Sequence, residues 1–211
     1  MAGRHVRAGQ GVLGLRRLNN LPTLQNHLPR VWIHARLLRP VATAGRPSMR
    51  IAVLSDSHDH LQPLASALEQ MGTAEAVIHC GDLVAPFVVK RMAAALQDVP
   101  VHIVWGNNDG DHQLVGRIAQ QHPNLHLHGL VARLELGGWR VAVVHYPDLG
   151  RDMALSGQYD LVCYGHDHTA HQERIGDCWL LNPGELMGMN GRSSFAWVDT
   201  DKDEIAFVDL M

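Results

Sequence analysis

The sequence predicts an α/β domain with mixed sheets, and three observations carry that expectation. Short apolar, β-branched runs alternate with helical sequence through the first half of the chain; hairpin-forming sequence replaces that alternation in the second half; and five polar clusters each fall just after an apolar run. Those clusters are Asp56-Ser57-His58, Gly81-Asp82, Gly106-Asn107-Asn108-Asp109, His145 and Gly165-His166-Asp167-His168.

The elements follow in order. Arg50 to Ser55 carries Ile51, Val53 and Leu54 and ends in polar residues, as a buried parallel strand does at its carboxyl end. A helix is expected from Pro63, a residue suited to a first turn, with Leu61, Leu64, Leu68 and Met71 on one face and Gly72 as the stop. Ala76 to Cys80 reads as a strand that delivers Gly81-Asp82, Val84 to Leu96 as a second helix, and Val99 to Trp105 as a third strand. Asp111 is placed to cap a helix through Ile118. Leu130 to Leu136 and Trp139 to His145 flank Gly137-Gly138, two glycines that tolerate the positive φ of a tight hairpin turn. Helical sequence around Leu149 to Leu155 precedes a strand over Asp160 to Tyr164, and Trp179 to Leu181, Phe195 to Asp199 and Glu204 to Asp209 read as an antiparallel tail.

Composition narrows the function classes. With 211 residues, 46% of them hydrophobic, and no apolar run long enough to span a bilayer, residues 49–211 read as one globular domain. Residues 1–48 are Arg-rich, contain no acidic residue and lack a secretory-type hydrophobic segment, so they read as an extension; translation from Met49, with the upstream segment disordered or not made, is the plainer expectation, and a transit peptide or an ordered functional arm the alternatives. Cys80, Cys163 and Cys178 are odd in number and sit in or beside apolar runs, which fits buried thiols in a reduced, cytoplasmic compartment. From residue 51 onward nine basic residues stand against 21 acidic ones, a net of −12. That balance opposes an extended nucleic-acid groove, which needs Lys and Arg to displace counterions.

The clusters bring Asp, His and Asn side chains to five strand ends. Such groups suit hard to borderline divalent cations, and seven of them exceed the three or four that a single zinc needs. The surplus points to two metals. Isolated histidines, namely His79, His102, His126, His128 and His171, are expected on strand surfaces or in the core, with His126 and His128 sharing a solvated face. The five Trp residues are expected in core or rim packing.

In this order, each at a strand end, the clusters make the chain resemble a calcineurin-like metallophosphoesterase, in particular the small, capless bacterial and archaeal phosphodiesterases. The resemblance implies a four-layer αββα sandwich, two mixed β-sheets face to face with helices outside, and a dinuclear centre. It implies that Asp56, His58, Asp82 and His168 hold one metal and Asp82, Asn107, His145 and His166 the other, with Asp82 as the bridge. It also implies catalytic parts for Asp82, Asn107, Asp109 and His145, and hydrolysis of a small phosphodiester by a metal-bridging hydroxide, with a phosphomonoesterase as the alternative. Asp109 is expected to orient a neighbouring ligand or loop. Two divalent ions are the implied cofactors, manganese first, with nickel, iron, zinc and magnesium as alternatives. A homo-oligomer is compatible with the resemblance; a membrane partner is not expected.

The sequence departs from the family pattern at three places. Asn108 stands where many phosphatases of the superfamily carry a His that protonates the leaving oxygen, so esters with good leaving groups are favoured unless His60, His112 or a metal-bound water supplies the proton. Tyr146 follows His145 where Gly is common, and is expected to narrow the mouth of the site. Glu185 follows the family's Asn182-Pro183-Gly184 turn where Ser is usual, which reads as a minor change. Three rival functions are weaker. An amidohydrolase barrel needs about 250 residues; a binding module like the retromer subunit of the same fold has a degraded metal site, whereas this set is intact; and a nuclease is opposed by the acidic body.

Overall fold

The computed structural model describes residues 48–210. The Arg-rich extension expected over residues 1–48 therefore lies, apart from Ser48, outside the described residues, as does Trp32. Within them the chain forms β1 (Arg50–Leu54), α1 (Leu61–Gln70), β2 (Ala76–His79), α2 (Pro86–Ala95), β3 (Val101–Ile103), α3 (His112–Gln121), β4 (Leu125–Leu127), β5 (Val131–Leu136), β6 (Trp139–Val144), α4 (Pro147–Leu155), β7 (Leu161–Cys163), β8 (His171–Ile175), β9 (Cys178–Asn182), β10 (Ser193–Asp199) and β11 (Glu204–Leu210).

Two sheets result. The first has the order β11-β10-β1-β2-β3-β4, parallel from β1 to β4 and antiparallel at β10 and β11. The second has the order β5-β6-β7-β9-β8, with β6, β7 and β9 parallel and antiparallel strands at both edges. Strand periodicity of two decides what each face meets. Ala52, Leu54, Val77, Val101 and Ile103 pack with apolar residues of α1, α2 and α3, whereas Ile51, Val53, Ala76 and Ile78 pack against Val141, Val143, Leu161 and Leu181 of the other sheet. The outer face of that sheet, through Ala142, Val144, Val162 and Leu180, carries Met153 and Ala154 of α4. Helix, sheet, sheet and helix are the four layers. They explain why β1 and β2 have no polar face: both sides of each are covered.

Element ends shift from the sequence reading for local reasons. α1 begins at Leu61, two residues before Pro63, because the first turn needs no N–H partners and tolerates a proline there. α2 begins at Pro86 rather than Val84, whose φ of 73° is left-handed. β3 starts after Pro100, which has no N–H to donate to a ladder. The Asp111 cap forms, its carboxylate accepting from Leu114 N at 3.1 Å, and α3 runs past Ile118 to Gln121. The tail is not wholly antiparallel: β9 pairs parallel with β7. Its edge partner β8, His-Gln-Glu-Arg-Ile, is too polar to signal a strand in sequence.

The histidines sort as packing dictates. His79 is buried and His171 exposed. The register His102↔His126 puts His102, His126 and His128 together at the sheet edge, opposite Val101, Ile103 and Leu125; His126 is exposed, but His102 and His128 are half-buried and share a hydrogen bond of 3.0 Å. Of the described tryptophans, Trp139 and Trp197 are buried and Trp105 and Trp179 half-buried. The sandwich predicts a clear contrast. Ile78→Ala, which empties a fully buried position between the sheets, should cost about 2–5 kcal/mol in a denaturant titration. Leu130→Ala, at a residue 67% exposed, should stay within about 0.5 kcal/mol.

Candidate metal centre

Parallel strands deliver their carboxyl ends to one edge of the sandwich. The loops after β1, β2 and β3 of the first sheet and after β6 and β7 of the second carry all seven expected ligands. The loops are stitched to each other through backbone: Asp56 N donates to Gly81 O at 3.1 Å, His58 N to Asp82 O at 3.1 Å, Gly165 N to His145 O at 3.0 Å, and Met187 N to Asp56 O at 3.0 Å. Five of the seven residues, Asp56, His58, Asp82, His166 and His168, have left-handed φ between 40° and 74°. Each such conformation costs a side-chain-bearing residue about 1–2 kcal/mol, so tertiary contacts hold a backbone that local preference opposes.

The side chains converge in two groups. Asp56, His58 and His168 form one, and Asp82, His145 and His166 the other; within each group the candidate donor atoms lie within 4.8 Å of one another. Asp82 links them, because its Oδ2 is 3.5 Å from both His58 Nε2 and His145 Nε2. Asn107 Oδ1 joins the second group at 3.1 Å from His145 Nε2. All seven expected ligands are thus brought together. Gly81 and Gly106 make the approach feasible: a Cβ on Gly81 would lie 2.7 Å from Gly106 N, and one on Gly106 would collide with the Asp82 carboxylate.

Proton positions follow from the partners. A carbonyl only accepts, so His145 Nδ1 donates to Cys80 O at 2.8 Å and turns Nε2 toward Asp82 Oδ2 and Asn107 Oδ1. His168 Nδ1 donates to Glu185 Oε2 at 2.6 Å, leaving Nε2 3.4 Å from Asp56 Oδ1. Ring nitrogens therefore face oxygen atoms, and something positive belongs between them. Asp56 Oδ1 and His58 Nε2 are buried without a hydrogen-bond partner, 3.9 Å apart. Carboxylate, imidazole and amide donors of this kind fit divalent cations.

A proton on His145 Nε2, in the charged ring, can take that positive place. Burial pushes the Asp56 carboxyl up. Burial acts the same way on Asp82, but hydrogen bonds from His145 and from Asn108 outweigh it and hold Asp82 well below the usual carboxylate range. For His145, burial opposes the charged ring, yet Asp82 and the Cys80 carbonyl win and raise its pKa.

Neighbouring residues divide the remaining tasks. Asp109 accepts from Gly106 N at 2.7 Å, Val84 N at 2.8 Å and Asp82 N at 3.1 Å, so its carboxylate ties the β2 and β3 loops together. Asn108 spends its amide on Asp82 Oδ2 at 2.7 Å and its backbone N–H on Asp82 Oδ1 at 2.8 Å. Asn182 donates to Gly165 O and to Asp167 Oδ1, fixing the loop that carries His166 and His168. Tyr146 is 42% exposed and stands edge-on to the rings of both His145 and His166. His60 Nδ1 donates to Met187 O at 2.6 Å, and His112 stacks on Trp105. Two participants escaped sequence reasoning. Glu185 read as a minor change, and His79 as an isolated histidine, because nothing in the sequence shows which loops they join.

Comparison with known proteins places this arrangement. Residues 49–203 match the family model described as the calcineurin-like phosphoesterase superfamily domain. A phosphodiesterase of Methanocaldococcus jannaschii is 32% identical over 163 residues, which cover 74% of this chain and 96% of that protein. A solved structure of an archaeal phosphodiesterase superposes with a TM-score of 0.71 at 32% identity, covering 77% of this chain and all (100%) of that one. Vacuolar Protein Sorting 29 of Cryptosporidium parvum shares the fold at a TM-score of 0.57 and 14% identity, covering 77% of this chain and 98% of its own.

His79 supplies a pH test. Its Nδ1 accepts from Gly81 N at 3.2 Å, so the neutral ring donates from Nε2 to Ser57 Oγ at 3.1 Å and joins the β1 and β2 loops. Burial lowers its pKa to about 4, so the unfolded chain takes up the proton first as pH falls. Stability from this group is full above about 6.5, the unfolded value, and is lost as pH drops through about 4. Urea titrations of metal-free protein across that interval should show a shallower pH slope for His79→Gln than for the parent.

Proposed function

The chain belongs to the calcineurin-like phosphoesterase superfamily, and we propose on that premise that it hydrolyses a small-molecule phosphodiester with the aid of two divalent cations. The observation that carries this reading is Asp82 Oδ2, equidistant at 3.5 Å from a histidine of each ligand group. Asp56, His58, Asp82 and His168 would hold one cation and Asp82, Asn107, His145 and His166 the other. When bound, such cations supply Lewis acidity to water and to the phosphoryl oxygens.

The chain's own residues do the positioning. In the neutral rings of His145 and His168 the Cys80 carbonyl and the Glu185 carboxylate hold the proton on Nδ1, which leaves Nε2 free to meet a cation. Asp109 acts on the backbone of Asp82 rather than on substrate. Asn108 cannot serve as an acid near neutral pH, and its amide is committed to Asp82. A diester with a stable leaving oxygen suits a site without a placed proton donor. Tyr146 overhangs His166 and narrows the approach. Manganese is the cation we assign first, and the three free, buried cysteines support a cytoplasmic setting. Among the described residues no helix is long and apolar enough to cross a membrane.

A partner-binding role without catalysis is the second reading, and the likeness to Vacuolar Protein Sorting 29 extends to fold alone. The complete ligand set favours catalysis. Metal-depleted protein reconstituted with Mn²⁺ should turn over an aryl phosphodiester faster than the matching monoester. Asp82→Ala and Asn107→Ala should each lose more than the roughly 10–100-fold typical of removing a group that merely orients a ligand. Equal or greater monoester turnover would remove the diester preference, and unchanged activity in both variants would remove the site.

A further inference from the structure

We propose that Glu185 positions His168 as a cation ligand, so that the Asp56–His58–His168 group holds its ion about 10–100-fold more tightly than it would with a neutral residue at 185. This rests on the dinuclear reading above. Glu185 is 1% exposed, and among the described residues no Lys or Arg pairs with it. A buried carboxylate without a cationic partner is expensive. Both of its oxygens are nevertheless engaged: Oε1 accepts from Asn190 N at 2.6 Å and Oε2 from His168 Nδ1 at 2.6 Å.

The backbone fixes this placement. Leu186 N donates to Ser55 O at 3.1 Å and Met187 N to Asp56 O at 3.0 Å, so the segment bearing Glu185 is sewn to the loop bearing Asp56 and His58. Ser194 N donates to Glu185 O at 2.9 Å and anchors it to β10. The carboxylate is therefore built into the floor of one ligand group.

His145 of the second group is oriented in the same way, through Nδ1, but by a neutral acceptor, the Cys80 carbonyl at 2.8 Å. The two groups use one device with different charge behind it. A carboxylate behind an imidazole both fixes the tautomer and makes the far nitrogen a stronger donor to a cation. Through His168 the negative charge of Glu185 reaches the first group, where a bound cation would offset the cost of burying it.

The test is calorimetric titration of metal-depleted protein with Mn²⁺, comparing the parent with Glu185→Gln and with Glu185→Ser. The parent should bind two ions; each variant should weaken one of the two dissociation constants about 10–100-fold and leave the other unchanged. A purely structural Glu185 would lower the melting temperature of the metal-free protein without altering the gap between the two constants, and that result overturns the proposal. Imidazole ¹⁵N NMR of the metal-free parent at about pH 8, above the ordinary imidazole range, needs no variant to fold. It should find the His168 proton on Nδ1, and a proton on Nε2 overturns the proposal. A parent that takes up no Mn²⁺ removes the dinuclear reading and this inference together, whereas two ions bound with variant constants equal to the parent's remove this inference alone.

Discussion

Imidazole nitrogens and carboxylate oxygens that face one another at 3.4–3.9 Å set the terms for the rest of the molecule. Such a cluster is unstable alone, because like-signed electron density is held together out of water. The fold adds to that cost by holding the protons of the neutral His145 and His168 rings on the far side, so that their Nε2 lone pairs face the carboxylates. On the proposed reading a divalent cation in each group would offset it. Asp82, common to both groups and hydrogen-bonded by Asn108 through amide and backbone, stays ionised where Asp56 resists ionisation.

Holding that arrangement requires loops that local preference would not choose. Left-handed backbone at five of the proposed ligand positions persists because the loops restrain each other and because the strands below them are covered on both faces. Asp109 and His79 are the clearest restraints. One gathers three backbone N–H groups with a carboxylate; the other bridges Ser57 and Gly81 with a neutral ring. Neither needs to meet substrate to matter. Fold and chemistry are coupled here: the alternation that buries Ile51 and Val53 between sheets also aims the β1 loop at the site.

Much of this was legible in the residues. Apolar runs ending in Asp, Asn or His marked five strand ends, because a buried parallel strand must turn polar where it leaves the sheet. The convergence of the proposed ligands was expected from donor chemistry and from the family likeness. β8 was not legible, since an exposed edge strand such as His-Gln-Glu-Arg-Ile needs no apolar face, and neither was the parallel pairing of β9, which depends on a crossover of 15 or so residues rather than on local pattern. Glu185 and His79 were missed for a related reason. Their importance lies in which distant loop each one touches, and His168 and Ser57 are 17 and 22 residues away from them in sequence.

Cations in both ligand groups are what the proposed function requires. Anomalous diffraction at the manganese edge from a crystal of the Mn²⁺-loaded protein addresses this directly. Two peaks are predicted, one against Asp56, His58 and His168, the other against Asn107, His145 and His166, with the Asp82 carboxylate touching both. A map with no peak there, or with metal only elsewhere on the protein, would contradict it.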